Sequence, residues 1–280
     1  MRFKKVYVEI TNACNFSCSF CYKSNRKKQF ISPEVFSAIL VKLKPFTDYL
    51  YLHVLGEPLL HPDVETLLNI AFRMGFRVNI TTNGSLLSRF ADSGVIDSVR
   101  QFNVSLHDAE ENVDKQNIGL YLKDICDFVA EHSANSYFSL RLWNQGVDEV
   151  DAYNRFCLDF LSDYFSVDFS DDVFSVRNVK IRDHVFLQNS ARFEWPGAET
   201  TYSKTNHSCQ ALRDHIAVLV DGRVVPCCLD ADANLCLGNI LEDDLNSLLL
   251  SAKALDIKEG FQKREARHQL CQHCGFYLSQ

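Results

Sequence analysis

The sequence lacks the marks of several large protein classes. No apolar run approaches the roughly 18–20 residues that cross a bilayer, so no membrane span is expected. The opening residues, Met1 to Glu9, show neither the apolar stretch nor the small-residue cleavage site of a secretory signal. Basic residues are in deficit: 29 Lys and Arg stand against 36 Asp and Glu, a formal charge of −7. A protein that coats nucleic acid needs a basic face for the phosphates, so no nucleic-acid partner is expected either. Internal repeats and low-complexity tracts are missing as well. Cysteine, by contrast, is abundant, with eleven in 280 residues. With no export signal, a cytoplasmic location is expected and a disulfide framework is not. Reduced cysteines serve as metal ligands, reactive thiols or small buried hydrophobes.

Their distribution separates these uses. Cys14, Cys18 and Cys21 lie near the start, and Cys209, Cys227, Cys228, Cys271 and Cys274 near the end. Cys126 and Cys157 stand alone among apolar neighbours and read as core thiols, as does Cys236. Between the two groups, β-like runs alternate with amphipathic helical runs. Strands are expected at Val6–Ile10, Tyr49–Val54, Phe76–Thr82, Phe102–Leu106, Tyr137–Trp143 and Val176–Phe186. Helices are expected from Ser32 to Pro45, Pro62 to Met74, Val113 to His132 and Val147 to Phe165. Ser32-Pro33-Glu34 supplies a cap, a first-turn proline and a first-turn acid. Gly75 is placed to stop the second helix.

Six β/α units in series imply an α/β fold with a parallel sheet. A full eight-unit barrel takes about 250 residues, so a partial (β/α)6 TIM-like barrel over 1–188 is expected. Residues 189–206 read as a connector. Residues 207–280 read as a small domain: a β-hairpin turning at Asp221-Gly222, then a helix over Leu245–Ile257. The basic stretch Lys23–Lys28 reads as a solvated loop.

Cys14, Cys18 and Cys21 form Cys-x3-Cys-x2-Cys directly after the first strand. Three thiolates on one tight loop suit three corners of a cubane iron–sulfur cluster, leaving the fourth iron open. Structural zinc wants four protein ligands, and no fourth Cys or His lies nearby in sequence.

With an aromatic residue, Phe20, before its last cysteine, this motif resembles that of the radical SAM superfamily. The resemblance implies a [4Fe–4S] cluster on Cys14, Cys18 and Cys21 that binds S-adenosylmethionine and cleaves it reductively. A 5′-deoxyadenosyl radical then abstracts hydrogen from substrate. Leu55-Gly56-Glu57-Pro58 is similar to the family's Gly-Gly-Glu-Pro motif, with Leu55 in place of the first glycine. Thr81-Thr82-Asn83-Gly84 is similar to its Thr-Asn-Gly. The resemblance thus implies S-adenosylmethionine contacts at Phe20, Gly56, Glu57, Asn83, Ser105 and Arg141. Glu57 would meet the methionine ammonium, Ser105 the ribose, and Arg141 the carboxylate.

Near the C-terminal end, Gly222-x4-Cys227 and Cys271-x2-Cys274 resemble the SPASM and Twitch auxiliary-cluster domains. That implies one auxiliary [4Fe–4S] cluster on Cys209, Cys227, Cys271 and Cys274, with Cys228 competing with Cys227. The rival for this region is a four-cysteine zinc site. Six residues follow Cys274 and none is cysteine, so a second auxiliary cluster is not expected.

The resulting expectation is a radical oxidoreductase that dehydrogenates a small molecule and passes the substrate electron to the auxiliary cluster. A low-potential donor such as flavodoxin or ferredoxin would supply the first electron. A peptide-modifying maturase is the first alternative. With thirteen residues before Cys14, it would need a separate leader-recognition partner. A non-enzymatic iron–sulfur or zinc redox sensor is the second. His53, His61 and His107 are candidate proton donors, although a lone histidine beside apolar residues more often reads as structural, and no catalytic acid or base is assigned.

Overall fold

Apolar residues facing both ways make the first strand, β1 (Lys5–Val8), a central one, with Val6, Tyr7 and Val8 all buried. The computed structural model describes residues 2–145, 151–197 and 203–276. After β1 come α1 (Pro33–Leu43), β2 (Tyr49–Tyr51), α2 (Val64–Arg73), β3 (Arg77–Thr82) and β4 (Val99–Ser105). The middle of the chain forms α3 (Ala109–Asn112), α4 (Ile118–His132), β5 (Tyr137–Gln145), α5 (Asp151–Phe165), β6 (Asn178–Arg182) and β7 (Val185–Ala191). Then follow β8 (His215–Val218), β9 (Arg223–Val225), β10 (Gly238–Asn239), α6 (Leu245–Leu249), α7 (Ala252–Gln262) and α8 (Gln269–Gln272). This is the α/β class that the sequence implies.

Contacts divide the chain into two units. One comprises Met1–Cys14, Phe20–Val78 and Phe193–Gln280, and the other Asn15–Ser19 and Asn79–Arg192. In the first unit the strand order is β10-β9-β8-β1-β2. β1 pairs in parallel with β2 and also with β8, from Lys5 opposite His215 to Val8 opposite Val218. The expected hairpin is therefore also a sheet extension: its first strand is a direct neighbour of β1, and β9 returns antiparallel to it.

Helix α1 starts as its sequence requires, with the Ser32 hydroxyl accepting from the Val35 N–H and Pro33 in the first turn. It buries Phe36, Ile39, Leu40 and Leu43. Helix α2 buries Val64, Leu67, Leu68 and Ala71, and ends where Gly75 takes φ +72°. The expected helix over 245–257 is instead two, because Ser251 caps a new start by accepting from the Ala254 N–H.

In the second unit the neighbours run β3-β4-β5-β7-β6, with β3 belonging to it from Asn79 onward. β4, β5 and β7 are parallel. The single strand expected over 176–186 is in fact two antiparallel strands. The chain reverses at Asp183-His184, where His184 has φ +63°, and β7 rather than β6 becomes the partner of β5. The polar tripeptide Arg182-Asp183-His184 carries the turn that the apolar pattern hides. The helix expected from Val113 starts only at Ile118, because Val113 is extended and a 3-10 turn over Lys115–Asn117 precedes it. The start expected at Val147 lies outside the described residues. Phe102, Phe128 and Phe138 fill the core of this unit, the first and last stacked at 5.2 Å. Burying each contributes about 1.5–3 kcal/mol. Among the described residues no helix is long and apolar enough to cross a membrane.

Candidate functional site

The loop that carries Cys14, Cys18 and Cys21 leaves the sheet after β1 and is closed at its base by two polar residues. Thr11 forms an antiparallel bridge with Phe30, and its hydroxyl donates to the Gln29 carbonyl at 2.8 Å and accepts from the Ala13 N–H at 3.0 Å. The Asn12 side chain donates to the Lys27 carbonyl and accepts from the Gln29 N–H, at 3.0 and 2.8 Å. Lys28 donates to the Asn12 carbonyl at 2.7 Å. The basic stretch expected to be a solvated loop is thus partly structural: Lys28 pins the base, and the Arg26 side chain is only 11% exposed. These closures leave the cysteine segment as an excursion between two fixed ends.

Within the first unit, Gly56 presses on that base. It has φ +79°, and a Cβ there would lie 2.5 Å from the Thr11 carbonyl oxygen and 2.7 Å from that of Ala13. Only glycine permits this approach and this backbone conformation. Next to it, the Glu57 N–H donates to the Ala13 carbonyl at 2.8 Å. The buried Glu57 carboxylate accepts from the Leu59 N–H at 2.9 Å, capping a short 3-10 turn. Cys14 is exposed, while Phe20 and Cys21 are half-buried. Cys21 packs with Tyr22, Trp195 and Cys228 against an apolar cluster that includes Tyr7, Leu55 and Ala217.

In the second unit, Cys18 is buried, and its sulfur accepts from the Asn112 amide at 3.2 Å. The same amide's oxygen accepts from the Ser17 N–H at 2.7 Å. Ser19 donates through its N–H and its hydroxyl to the Glu111 carboxylate. Asn83 is buried, donates to the Asn15 side chain at 3.0 Å, and accepts from Ser85. Asn83 as placed holds residues of the cysteine segment. Ser105 ends β4 opposite Arg141 of β5, whose guanidinium lies over the Trp143 ring at 4.3 Å. Beside them His107 is buried and stays neutral, its pKa pushed down to about 4 by burial and by the cations Arg141 and Arg192. His61 is likewise a structural histidine: its Nε2 meets the Ile31 carbonyl at 2.8 Å, its Nδ1 accepts from the Asp63 N–H, and burial lowers its pKa.

The C-terminal cysteines belong to the first unit. Burial pushes the Cys227 thiol well up, with further contributions from Cys228, Cys209, Cys271 and Cys274, so the thiols are mutual neighbours. Cys209 and Cys271 are raised by burial too. Cys228 differs in its surroundings: its thiol is raised by burial but opposed by the Lys5 charge and by the Tyr7 hydroxyl, which donates to its sulfur. Cys236 is half-buried, whereas Cys126 and Cys157 are fully buried and held protonated, both pushed up by burial to about 12.

Thiols that burial keeps protonated need a metal to draw off their protons. Cys209, Cys227 and Cys271 are such thiols, and with Cys274 beside them they suit an all-cysteine iron–sulfur cluster, while three cysteines on one loop suit a cluster with an open iron. Among the described residues, no group of three or more His, Cys, Asp or Glu is placed as it stands to hold a metal ion.

Glu9 escapes a motif-based reading. Its carboxylate is fully buried and accepts four hydrogen bonds, two from Arg26 and one each from the Leu55 and Val220 N–H groups. The signal in the sequence is an acid at the end of an otherwise apolar strand.

Two family models match the chain: the Radical SAM superfamily over residues 8–132 and an iron–sulfur cluster-binding domain, SPASM, over 209–275. A cofactor-modifying protein for tungsten-containing aldehyde ferredoxin oxidoreductase from Pyrococcus furiosus is 32% identical over 89 residues, covering 30% of this chain and 25% of its own length. An S-adenosylmethionine-dependent nucleotide dehydratase from Selenomonas ruminantium is 33% identical over 85 residues, covering 30% and 31%. The match therefore spans about a third or less of either relative. Among solved structures, BtrN in complex with AdoMet and 2-DOIA is similar with a TM-score of 0.63 at 17% identity, covering 98% of this chain and 93% of that one. SuiB from Streptococcus suis bound to the precursor peptide SuiA has a TM-score of 0.58 at 15% identity, covering 98% and 70%. These likenesses establish the fold, a mixed α/β partial barrel.

Proposed function

Because the chain belongs to the radical SAM superfamily and carries a SPASM domain, we propose that it oxidises a small polar molecule by a radical route. Its cofactors are a [4Fe–4S] cluster that binds S-adenosylmethionine, S-adenosylmethionine itself and an auxiliary cluster. When bound, these groups supply a 5′-deoxyadenosyl radical for hydrogen abstraction and an acceptor for the electron left on substrate. Radical SAM enzymes need a reductant, and a flavodoxin or ferredoxin of the cytoplasm is the proposed donor here.

The protein's own side chains bind and orient. Cys14, Cys18 and Cys21 would hold the first cluster, and the Asn112 amide at the Cys18 sulfur would steady that thiolate. In the first unit, Glu57 would accept from the methionine ammonium, Gly56 would keep the backbone close, and Phe20 would lie against the cofactor. In the second unit, Asn83, Ser105 and Arg141 would contact S-adenosylmethionine, the last as the cation for its carboxylate. Cys209, Cys227, Cys271 and Cys274 would complete an auxiliary cluster with no open iron. Cys228, donated to by Tyr7, is left beside it. In this reading residues 1–188 form the radical barrel, 189–206 the connector and 207–280 the auxiliary domain.

The observation that carries the oxidative reading is the gathering of Cys209, Cys227, Cys271 and Cys274 around one another. A full set of protein thiolates suits an electron acceptor rather than a substrate-binding iron. The test is anaerobic purification, reduction with dithionite, and addition of S-adenosylmethionine. We expect 5′-deoxyadenosine and iron content matching two clusters. A Cys18→Ala, Cys21→Ala variant should lose the product and keep the auxiliary absorbance. A protein carrying both clusters that makes no 5′-deoxyadenosine would overturn the radical reading. Turnover stimulated only by an added peptide would move the substrate class to peptide side chains.

A further inference from the structure

Glu9 is buried completely. Its partners are the informative feature. Oε1 accepts from Arg26 Nη2 at 2.6 Å and from the Leu55 N–H at 3.3 Å. Oε2 accepts from Arg26 Nη1 at 2.8 Å and from the Val220 N–H at 3.0 Å. All four bonds lie within the first unit, and they join four separate stretches of chain. Glu9 directly follows β1, at the root of the cysteine loop. Arg26 follows Cys21 by five residues, Leu55 directly precedes Gly56-Glu57, and Val220 opens the turn of the hairpin leading to Cys227.

A second carboxylate extends the network. Asp232, five residues after Cys227, accepts from the Tyr22 hydroxyl at 2.6 Å and from the Ser24 hydroxyl. Arg26 Nε stands 4.0 Å from the same carboxylate, and the Arg26 N–H donates to the Ser24 hydroxyl at 3.1 Å. Arg26 thus sits between two acids, one just after β1 and one on the C-terminal segment.

A buried ion pair is a poor device for stability, since removing two charges from water costs about as much as their attraction returns. What bidentate geometry gives is direction: a planar fork meeting a planar carboxylate fixes both distance and angle. Here the remaining lone pairs of that carboxylate are spent on two backbone N–H groups, which locks loops rather than side chains.

We propose that Glu9, clamped by Arg26, is a positioning residue that sets the cysteine loop in register with the Gly56-Glu57 loop and the C-terminal hairpin. This rests on the radical reading only for its consequence in cofactor binding. The register itself is a property of the polypeptide. Losing it displaces Glu57 relative to Cys14 and Cys21, so S-adenosylmethionine is held less well while the fold persists.

The test uses Glu9→Gln and Arg26→Lys in the cluster-loaded protein. The first keeps the shape of the acid and removes its charge, and the second keeps the cation and loses the fork. Partners one step from a metal site typically cost about 10–100-fold in affinity or activity when changed. For Glu9→Gln we expect a rise of that order in the S-adenosylmethionine Kd, read from the cofactor-induced change in the reduced cluster's EPR signal. KM for S-adenosylmethionine should rise with it, more than kcat falls, and Arg26→Lys should lie between the variant and wild type.

Hydrogen–deuterium exchange supplies a readout free of activity: faster exchange confined to residues 11–30, 53–58 and 219–222. Wild-type affinity in a folded Glu9→Gln protein, or exchange that rises uniformly or not at all, overturns the proposal. If Glu9→Gln fails to fold, Arg26→Lys decides by the same two measurements at an unchanged Tm. If wild-type protein shows no response to S-adenosylmethionine, the functional reading fails, and the exchange pattern still tests the register.

Discussion

Replacing Gly56 by alanine tests the site at its tightest point. The new Cβ would lie 2.5 Å from the Thr11 carbonyl oxygen, 2.7 Å from that of Ala13 and 3.0 Å from the Asn12 carbonyl carbon. All three are backbone atoms, so no side chain can swing away. Relief to an ordinary 3.4 Å contact needs a displacement of about 0.9 Å. The φ of +79° adds about 1–2 kcal/mol for any residue with a Cβ. Overpacking against fixed backbone adds about 1–3 kcal/mol. The 2.8 Å bond from the Glu57 N–H to the Ala13 carbonyl crosses the same gap, and its loss costs about 1 kcal/mol.

Together these amount to about 4 kcal/mol, which at about 2–4 °C per kcal/mol in a chain of this size lowers Tm by about 10 °C. A shift near 1 Å between the roots of Cys14 and Glu57 also costs about 100-fold in turnover. The assay pairs thermal unfolding with 5′-deoxyadenosine formation. Gly94→Ala is the internal control, because a Cβ there meets nothing within 4 Å, and its Tm should change by about 0.5 kcal/mol equivalent or less. A Gly56→Ala protein that melts and turns over like the Gly94→Ala control would refute the close-approach argument.

Two further outcomes follow from the packing and the buried histidines. Phe138→Ala removes a buried ring stacked on Phe102 and edge-on to Phe128, and should cost about 3–5 kcal/mol by chemical denaturation with little effect on iron binding. His107 and His215 are held neutral by burial with pKa values of about 4, against 6.5 when unfolded, so the unfolded chain takes up protons that the folded chain does not. Stability is therefore full above pH 6.5 and falls as pH drops from 6.5 toward 4. Each histidine accounts for up to about 3 kcal/mol. His107→Gln should flatten that decline in a Tm series, and an unchanged slope would show that His107 is not kept neutral.

Several parts of this protein are written in short stretches of sequence. The Ser32 cap and the Gly75 stop depend on neighbours within a few residues, and the Cys-x3-Cys-x2-Cys and Gly56-Glu57 motifs are recognisable from residue type and spacing. The α/β class follows similarly from alternating periodicities. The reversal between β6 and β7 is a local feature too, but the apolar run conceals the turn at Asp183-His184.

Tertiary structure alone decides what joins residues far apart in the chain. Nothing near Glu9 announces Arg26, Leu55 and Val220 as its partners, the last 211 residues away. No pattern in 215–218 names β1 as a parallel neighbour. Nor does spacing distinguish the surroundings of Cys227, set among other thiols, from those of Cys228, which takes the Tyr7 hydroxyl. Periodicity and spacing report the conformation of a segment. Which segments meet is set by burial and by the need to satisfy polar groups such as the Glu9 carboxylate, and those conditions exist only once the whole chain has folded.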